Sequence, residues 1–177
     1  MDGATLTGGT LTVFLAALLL RAAWHKSQAF LETTGFVADY GVAPPGREAL
    51  ATRAVIAAEA LLLVALILPA TRALGAAGTA VLLLGYAWAM AGALRRGQRR
   101  IDCGCGGAPQ FVSALTIARN LVLAALALAL AFLPAGGAGV AGAALAVAGG
   151  LTLWCLYAII ERLLANAGHI RLAADQS

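Results

Sequence analysis

Cys103 and Cys105 stand one residue apart in the run Asp102-Cys103-Gly104-Cys105-Gly106-Gly107. Two thiols at that spacing can close a small, strained disulfide ring. Strain raises the reduction potential, which marks a labile bond rather than a structural one. Gly104 removes the Cβ that would oppose closure. Arg99 and Arg100 are close enough in sequence to favour a thiolate, while Asp102 opposes it. Three readings stay open: a redox pair, half of a metal site, and two unpaired thiols in a Gly-rich loop. A Cys-x-Cys element supplies two soft ligands and needs others to hold zinc or copper. His25 and His169 fall on the same side of the membrane reading given below but have no motif spacing, so no metal site is assigned.

A second group of residues is notable for its depth in apolar sequence. Glu59 sits in the middle of a run of Ala, Leu and Val. A carboxylate there costs about 2.5–3.5 kcal/mol on insertion scales, so it must face other helices and meet a partner. Arg21, at comparable depth in an earlier run, is the first expected partner, and Lys26 the second. The pair either locks two helices or holds a ligand or proton. Arg119 and Asn120 open the second turn of another apolar run, about 12 Å in from Phe111 at 1.5 Å per residue. Arg119 either snorkels to the surface or reaches beneath the cysteines, where it would stabilise a thiolate, a quinone oxygen or an anion. Cys155 is expected to be a small buried apolar filler.

The elements that hold these residues follow from composition. Of 177 residues, 62% are hydrophobic and 11% charged, against about 45–50% and 25% in soluble domains. Mean hydropathy is +0.89. No soluble fold of this length hides that much apolar surface, and the Ala, Leu, Val and Gly excess lacks the alternation of a barrel. The expectation is an all-α, polytopic transmembrane bundle, a four-helix core plus a fifth helix, forming one integral domain over 1–177. About 20 apolar residues cross a bilayer, and five runs qualify: 10–31, 49–68, 74–94, 112–133 and 139–160. The cysteines fall in the loop 95–110. Pro44, Pro45 and Gly46 separate the first two spans, Pro69 ends the second, and Pro134 with Gly136 and Gly137 ends the fourth. The N-terminus lacks Lys or Arg before its first apolar run, so no cleavable signal peptide is expected.

Orientation follows from basic residues near the span ends. With the N-terminus outside, nine lie inside (Lys26, Arg47, Arg53, Arg95, Arg96, Arg99, Arg100, Arg162 and Arg171) and only Arg72 outside. The cysteine loop and the C-terminus are therefore expected in the cytoplasm. Net charge is +4, but its distribution is topological. No soluble basic face exists to bind nucleic acid. Membrane lipid is the default surrounding.

The ordered set Arg21, Lys26, Phe30, Tyr40, Pro44, Glu59, Asp102-Cys103-Gly104-Cys105-Gly106 and Arg119-Asn120 resembles the MauE family of DoxX-like membrane proteins, over roughly 10–160. The resemblance implies a bacterial inner-membrane protein associated with maturation of methylamine dehydrogenase, whose small subunit is rich in disulfides, alongside a thioredoxin-like partner. The DoxX side of the likeness implies sulfurtransferase-like partners. The implied bundle is comparable to that of disulfide-generating quinone reductases. On that basis Cys103 and Cys105 form the catalytic pair, Arg21, Lys26, Glu59, Arg119 and Asn120 the supporting polar set, and a quinone sits near Arg119 and Asn120. Gly106 departs from the family pattern, which often has an aromatic residue after the second Cys. Periplasmic maturation would need the loop outside, whereas the charge bias puts it inside and favours exchange with cytoplasmic thiols.

The leading expectation is thus a membrane thiol–disulfide oxidoreductase. Two rivals come from other classes. One is a small metal or solute transporter that uses the cysteines as entry ligands and Glu59 with Arg21 inside. The other is a non-catalytic anchor for a soluble redox enzyme.

Overall fold

A computed structural model describes the backbone of residues 3–98, 112–134 and 139–174, with side chains as far as residue 166. Among the described residues all regular structure is helical: α1 (Gly3–Gln28), α2 (Phe30–Tyr40), α3 (Glu48–Ile67), α4 (Arg72–Arg95), α5 (Ala114–Phe132) and α6 (Val140–Ala174). Five of these, all but α2, are long and apolar enough to cross a membrane. Their outward faces stay apolar: Leu61, Trp88 and Phe132 are 70%, 74% and 83% exposed. Such surfaces suit lipid, where every backbone polar group must be satisfied within its own helix.

The segment between the first two spans differs from the expected loop. α1 starts at Gly3 and stops at Gln28, and a separate helix, α2, follows after Ala29. Ala29 keeps backbone hydrogen bonds on both sides, to His25 and from Thr33, so the chain turns with little loss of bonding. α2 packs against α3 and α4. It ends at Gly41, whose φ of 59° is the left-handed conformation that glycine adopts without a Cβ penalty. Pro44 and Pro45 then prevent any continuation.

The remaining helices pack by two devices. α3 and α4, joined by a short turn, run antiparallel, with Gly75 against the backbone of Ala65 and Leu66, and Gly78 against Leu62. α1 and α6 run parallel, with Gly9 against Ala146, and Gly149 and Gly150 against Thr10 and Val13. Without a hydrophobic drive between helices in lipid, such close approach is what gives the contact its dispersion energy. Phe14, Leu19, Leu66, Leu83, Leu123 and Leu130 fill the centre, drawn from α1, α3, α4 and α5.

Two local features fix the ends. Ser113 and Thr116 form a reciprocal capping box at the start of α5. At the far end of the same helix, the Arg72 guanidinium donates to the Leu133 carbonyl. Arg72 is buried and so supplies a donor to a helix C-terminus that has none of its own.

Candidate functional site

Apart from Arg72, the buried charges among the described residues collect in two clusters, and α1 supplies one cation to each. Lys26 Nζ donates to Glu59 Oε1 at 2.7 Å. The Tyr86 hydroxyl donates to the same oxygen, also at 2.7 Å. Lys26 further lies 5.4 Å from the centroid of the Tyr86 ring. Glu59 is wholly buried and Lys26 almost so. Glu59 Oε2 has no hydrogen-bond partner among the described residues.

The partner of Glu59 is therefore Lys26, and Arg21, the first expectation from sequence, is a correction. Arg21 and Lys26 are five residues apart, close to 140° around a helix of 3.6 residues per turn. They cannot serve one neighbour. Arg21 Nη1 lies 2.8 Å from Glu161 Oε2 on α6, and Arg119 Nη1 donates to Glu161 Oε1 at 2.9 Å. The Tyr157 hydroxyl donates weakly to the same oxygen at 3.4 Å. Arg119 thus neither stretches freely to the surface nor stands alone: it joins α5 to α6 through a buried carboxylate that sequence reasoning missed. Glu161 lies one residue past the span drawn over 139–160, whereas α6 runs on without a break to Ala174.

Asn120 follows Arg119 but points to different neighbours. It is buried, donates to the Thr116 carbonyl at 3.0 Å, and places its amide 4.0 Å from the Met90 sulfur on α4. Met90 also lines a cavity of about 100 Å³, whose wall includes Lys26, Phe36, Tyr40, Val55 and Tyr86. The cavity is partly open and lies between the end of α1, α2, the first half of α3 and the second half of α4.

Cys103 and Cys105, the expected redox pair, lie outside the described residues, as do Arg99, Arg100 and Asp102. The points where that segment leaves and rejoins the described chain are defined. α4 ends beside Arg96, which donates to the Tyr40 carbonyl at 2.7 Å. The chain resumes at Val112, which is buried with Tyr40, Met90 and Ala93. Arg96 and Val112, on either side of the cysteine segment, are thus linked to Tyr40, a cavity wall residue, the first by a hydrogen bond and the second through a shared buried cluster. Cys155, expected to be buried, is instead exposed on the outer face of α6. Among the described residues there is no group of three or more His, Cys, Asp or Glu that would hold a metal ion.

A multi-pass helical membrane protein with buried ion pairs at one end of its bundle is the class these features define. A family model, "Methylamine utilisation protein MauE", matches residues 4–133, and the chain belongs to that family. Relatives named "Methylamine utilization protein MauE" come from Paracoccus denitrificans, 39% identical over 68% of this chain and 66% of theirs, and from Methylophilus methylotrophus, 32% identical over 70% and 66%. A third, from Paracoccus versutus, is 36% identical over 81% of this chain and 80% of its own. The match to the first two thus spans slightly less than two thirds of their length. No solved structure matches the chain.

Proposed function

We propose that this chain is a membrane thiol–disulfide exchange protein of a methylamine-utilisation system, with Cys103 and Cys105 as its reacting pair. The observation that carries the reading concerns the described residues on either side of the cysteine segment: Arg96 bonds to the Tyr40 carbonyl, and Val112 belongs to the same buried cluster as Tyr40 and Met90. Tyr40 and Met90 also line the cavity, together with Lys26 and Tyr86 of the Lys26–Glu59–Tyr86 cluster. Membership of the MauE family supports the methylamine-utilisation setting.

In the exchange step a thiolate of a thioredoxin-like or sulfurtransferase-like partner attacks the Cys103–Cys105 disulfide, and one loop sulfur leaves as thiolate. The partner's second thiolate then attacks the mixed disulfide. The products are an oxidised partner and two reduced loop thiols, and the reverse reaction uses the same intermediate. Reoxidation passes two electrons and two protons to a membrane quinone, which becomes quinol. Arg21, Lys26, Glu59, Arg119 and Asn120 hold the helices beneath the loop in register for these steps. In this reading the protein lies in a bacterial inner membrane with its N-terminus outside and the cysteine loop in the cytoplasm, an orientation that the basic-residue bias supports.

The test is a redox titration of the purified protein with mass-tagging of its thiols. A two-thiol transition confined to Cys103 and Cys105, at a potential more oxidising than that of structural disulfides, is the expected result. A titration in which those two thiols stay reduced at every potential overturns the reading.

A further inference from the structure

The cavity beside Lys26 has a composition that selects its occupant. Its wall is apolar and aromatic, with Phe36, Tyr40, Val55, Tyr86 and Met90 around one ammonium. Flat rings pack well against such a lining, edge to face with aromatics and against the thioether sulfur. An ammonium carries three N–H donors. Among the described residues one of them reaches Glu59, and Lys26 otherwise meets only the face of the Tyr86 ring. Lys26 is 4% exposed and lines the cavity, where an unmet donor costs free energy.

Glu59 sets the charge of the ligand. Its carboxylate already neutralises Lys26 at 2.7 Å, and an anion in the cavity would meet that carboxylate at close range. A neutral acceptor avoids the repulsion and still takes a hydrogen bond from Nζ. Size sets the rest. An apolar cavity of about 150 Å³ encloses benzene; this one, about 100 Å³ and partly open, takes one six-membered ring only with part of the ring and its substituents in the open side. Val42 on the rim is exposed, which gives a lipid-soluble tail a way out.

We infer that this cavity binds a neutral, lipid-soluble ring compound through a carbonyl oxygen that accepts from Lys26. A single-ring quinone head group has that chemistry, so the inference deepens the proposed function and rests on it for its place in electron transfer, though not for binding. It also moves the ligand away from Arg119, which is engaged with Glu161, to the far side of Met90 from Asn120.

The experiment is photolabelling of the full chain in lipid nanodiscs with an azido-ubiquinone, followed by peptide mapping. Adducts within residues 30–40 and 86–90 are expected, and decylubiquinone should compete about tenfold better than monoolein, an open-chain ester carbonyl. Val55→Phe, which fills the cavity from its half-buried wall position, should reduce labelling by about tenfold with an unchanged unfolding midpoint. Adducts around Arg119 and Glu161, or spread over the lipid-facing surface, overturn the inference. So does equal competition by monoolein, which would assign the cavity to bulk lipid. If Val55→Phe does not accumulate, the peptide map of the unaltered chain decides. Replacing both Cys103 and Cys105 by Ser should leave the labelling intact. Labelling in the unaltered chain whose Cys103 and Cys105 show no thiol exchange would defeat the proposed function and leave the ring site standing.

Discussion

Lys26 Nζ and Glu59 Oε1 stand 2.7 Å apart where α1 packs on α3, and the Tyr86 hydroxyl from α4 closes on the same oxygen. Three helices therefore meet at one carboxylate. Removing one member of a buried pair leaves the other charge uncompensated, at a cost of about 3–5 kcal/mol. Lys26→Met and Glu59→Leu should each sharply lower accumulation and the unfolding midpoint in detergent. The double variant should recover much of the loss, because two apolar side chains leave no orphaned charge. A double variant as unstable as the sum of the two singles contradicts the pairing.

The second cluster predicts an order of effects. Glu161 serves two guanidiniums and is almost fully buried, Arg119 is 11% exposed and Arg21 27%. A more exposed ion pair is screened and contributes less. Glu161→Ala should therefore destabilise most, Arg119→Ala less, and Arg21→Ala least, as read from thermal unfolding of the purified variants. Arg21→Ala as the most damaging of the three would contradict the geometry.

Much of the fold was legible because a bilayer asks for one thing, an apolar run of sufficient length, and the five runs declare themselves. α2 was not, because Pro44 and Pro45 signal a loop, and the apolar face made by Phe30, Phe36, Val37 and Tyr40 is too short to stand out as a span. The partner of Glu59 was half legible. Sequence gave two cations on α1, but only the rotation of that helix decides which of them faces α3. Glu161 could have been found by charge counting. The expected spans hold Arg21, Lys26, Arg53 and Arg119 against Glu59 alone. Buried cations in excess demand another acid, and Glu161 was one residue beyond the boundary.

Packing of α1 on α6 gives a third prediction. A Cβ at position 150 would come 2.5 Å from Val13 Cβ and 2.8 Å from the Thr10 carbonyl oxygen. Gly150→Leu should separate the two helices and weaken the Arg21–Glu161 contact further along. Gly85 has nothing within 4 Å of an added Cβ, so Gly85→Ala should be neutral or stabilising by up to about 1 kcal/mol. Unfolding midpoints of both variants check the contrast. Equal loss at the two positions would contradict it.

The Arg72 side chain predicts coupling at the opposite end of the bundle. It donates to the Leu133 carbonyl at the end of α5, and an added Cβ at Gly8 would come 2.9 Å from its Nη1. Arg72→Met should leave α5 uncapped and increase amide hydrogen exchange at residues 129–133. Gly8→Val should do the same by displacing the guanidinium. Unchanged exchange in Arg72→Met would show that the contact does not hold the helix end.

The central claim is that Cys103 and Cys105 exchange disulfides with a partner, and trapping tests it most directly. With Cys105→Ser in cells, and separately with Cys103→Ser, one of the two remaining loop thiols should accumulate as a mixed disulfide with a soluble partner, visible as a reducible higher-mass band. Cys155→Ala should change nothing. Trapping of the partner by neither single variant, together with full methylamine-dependent growth of the double Cys103→Ser/Cys105→Ser variant, would contradict the account and leave the chain as a membrane anchor.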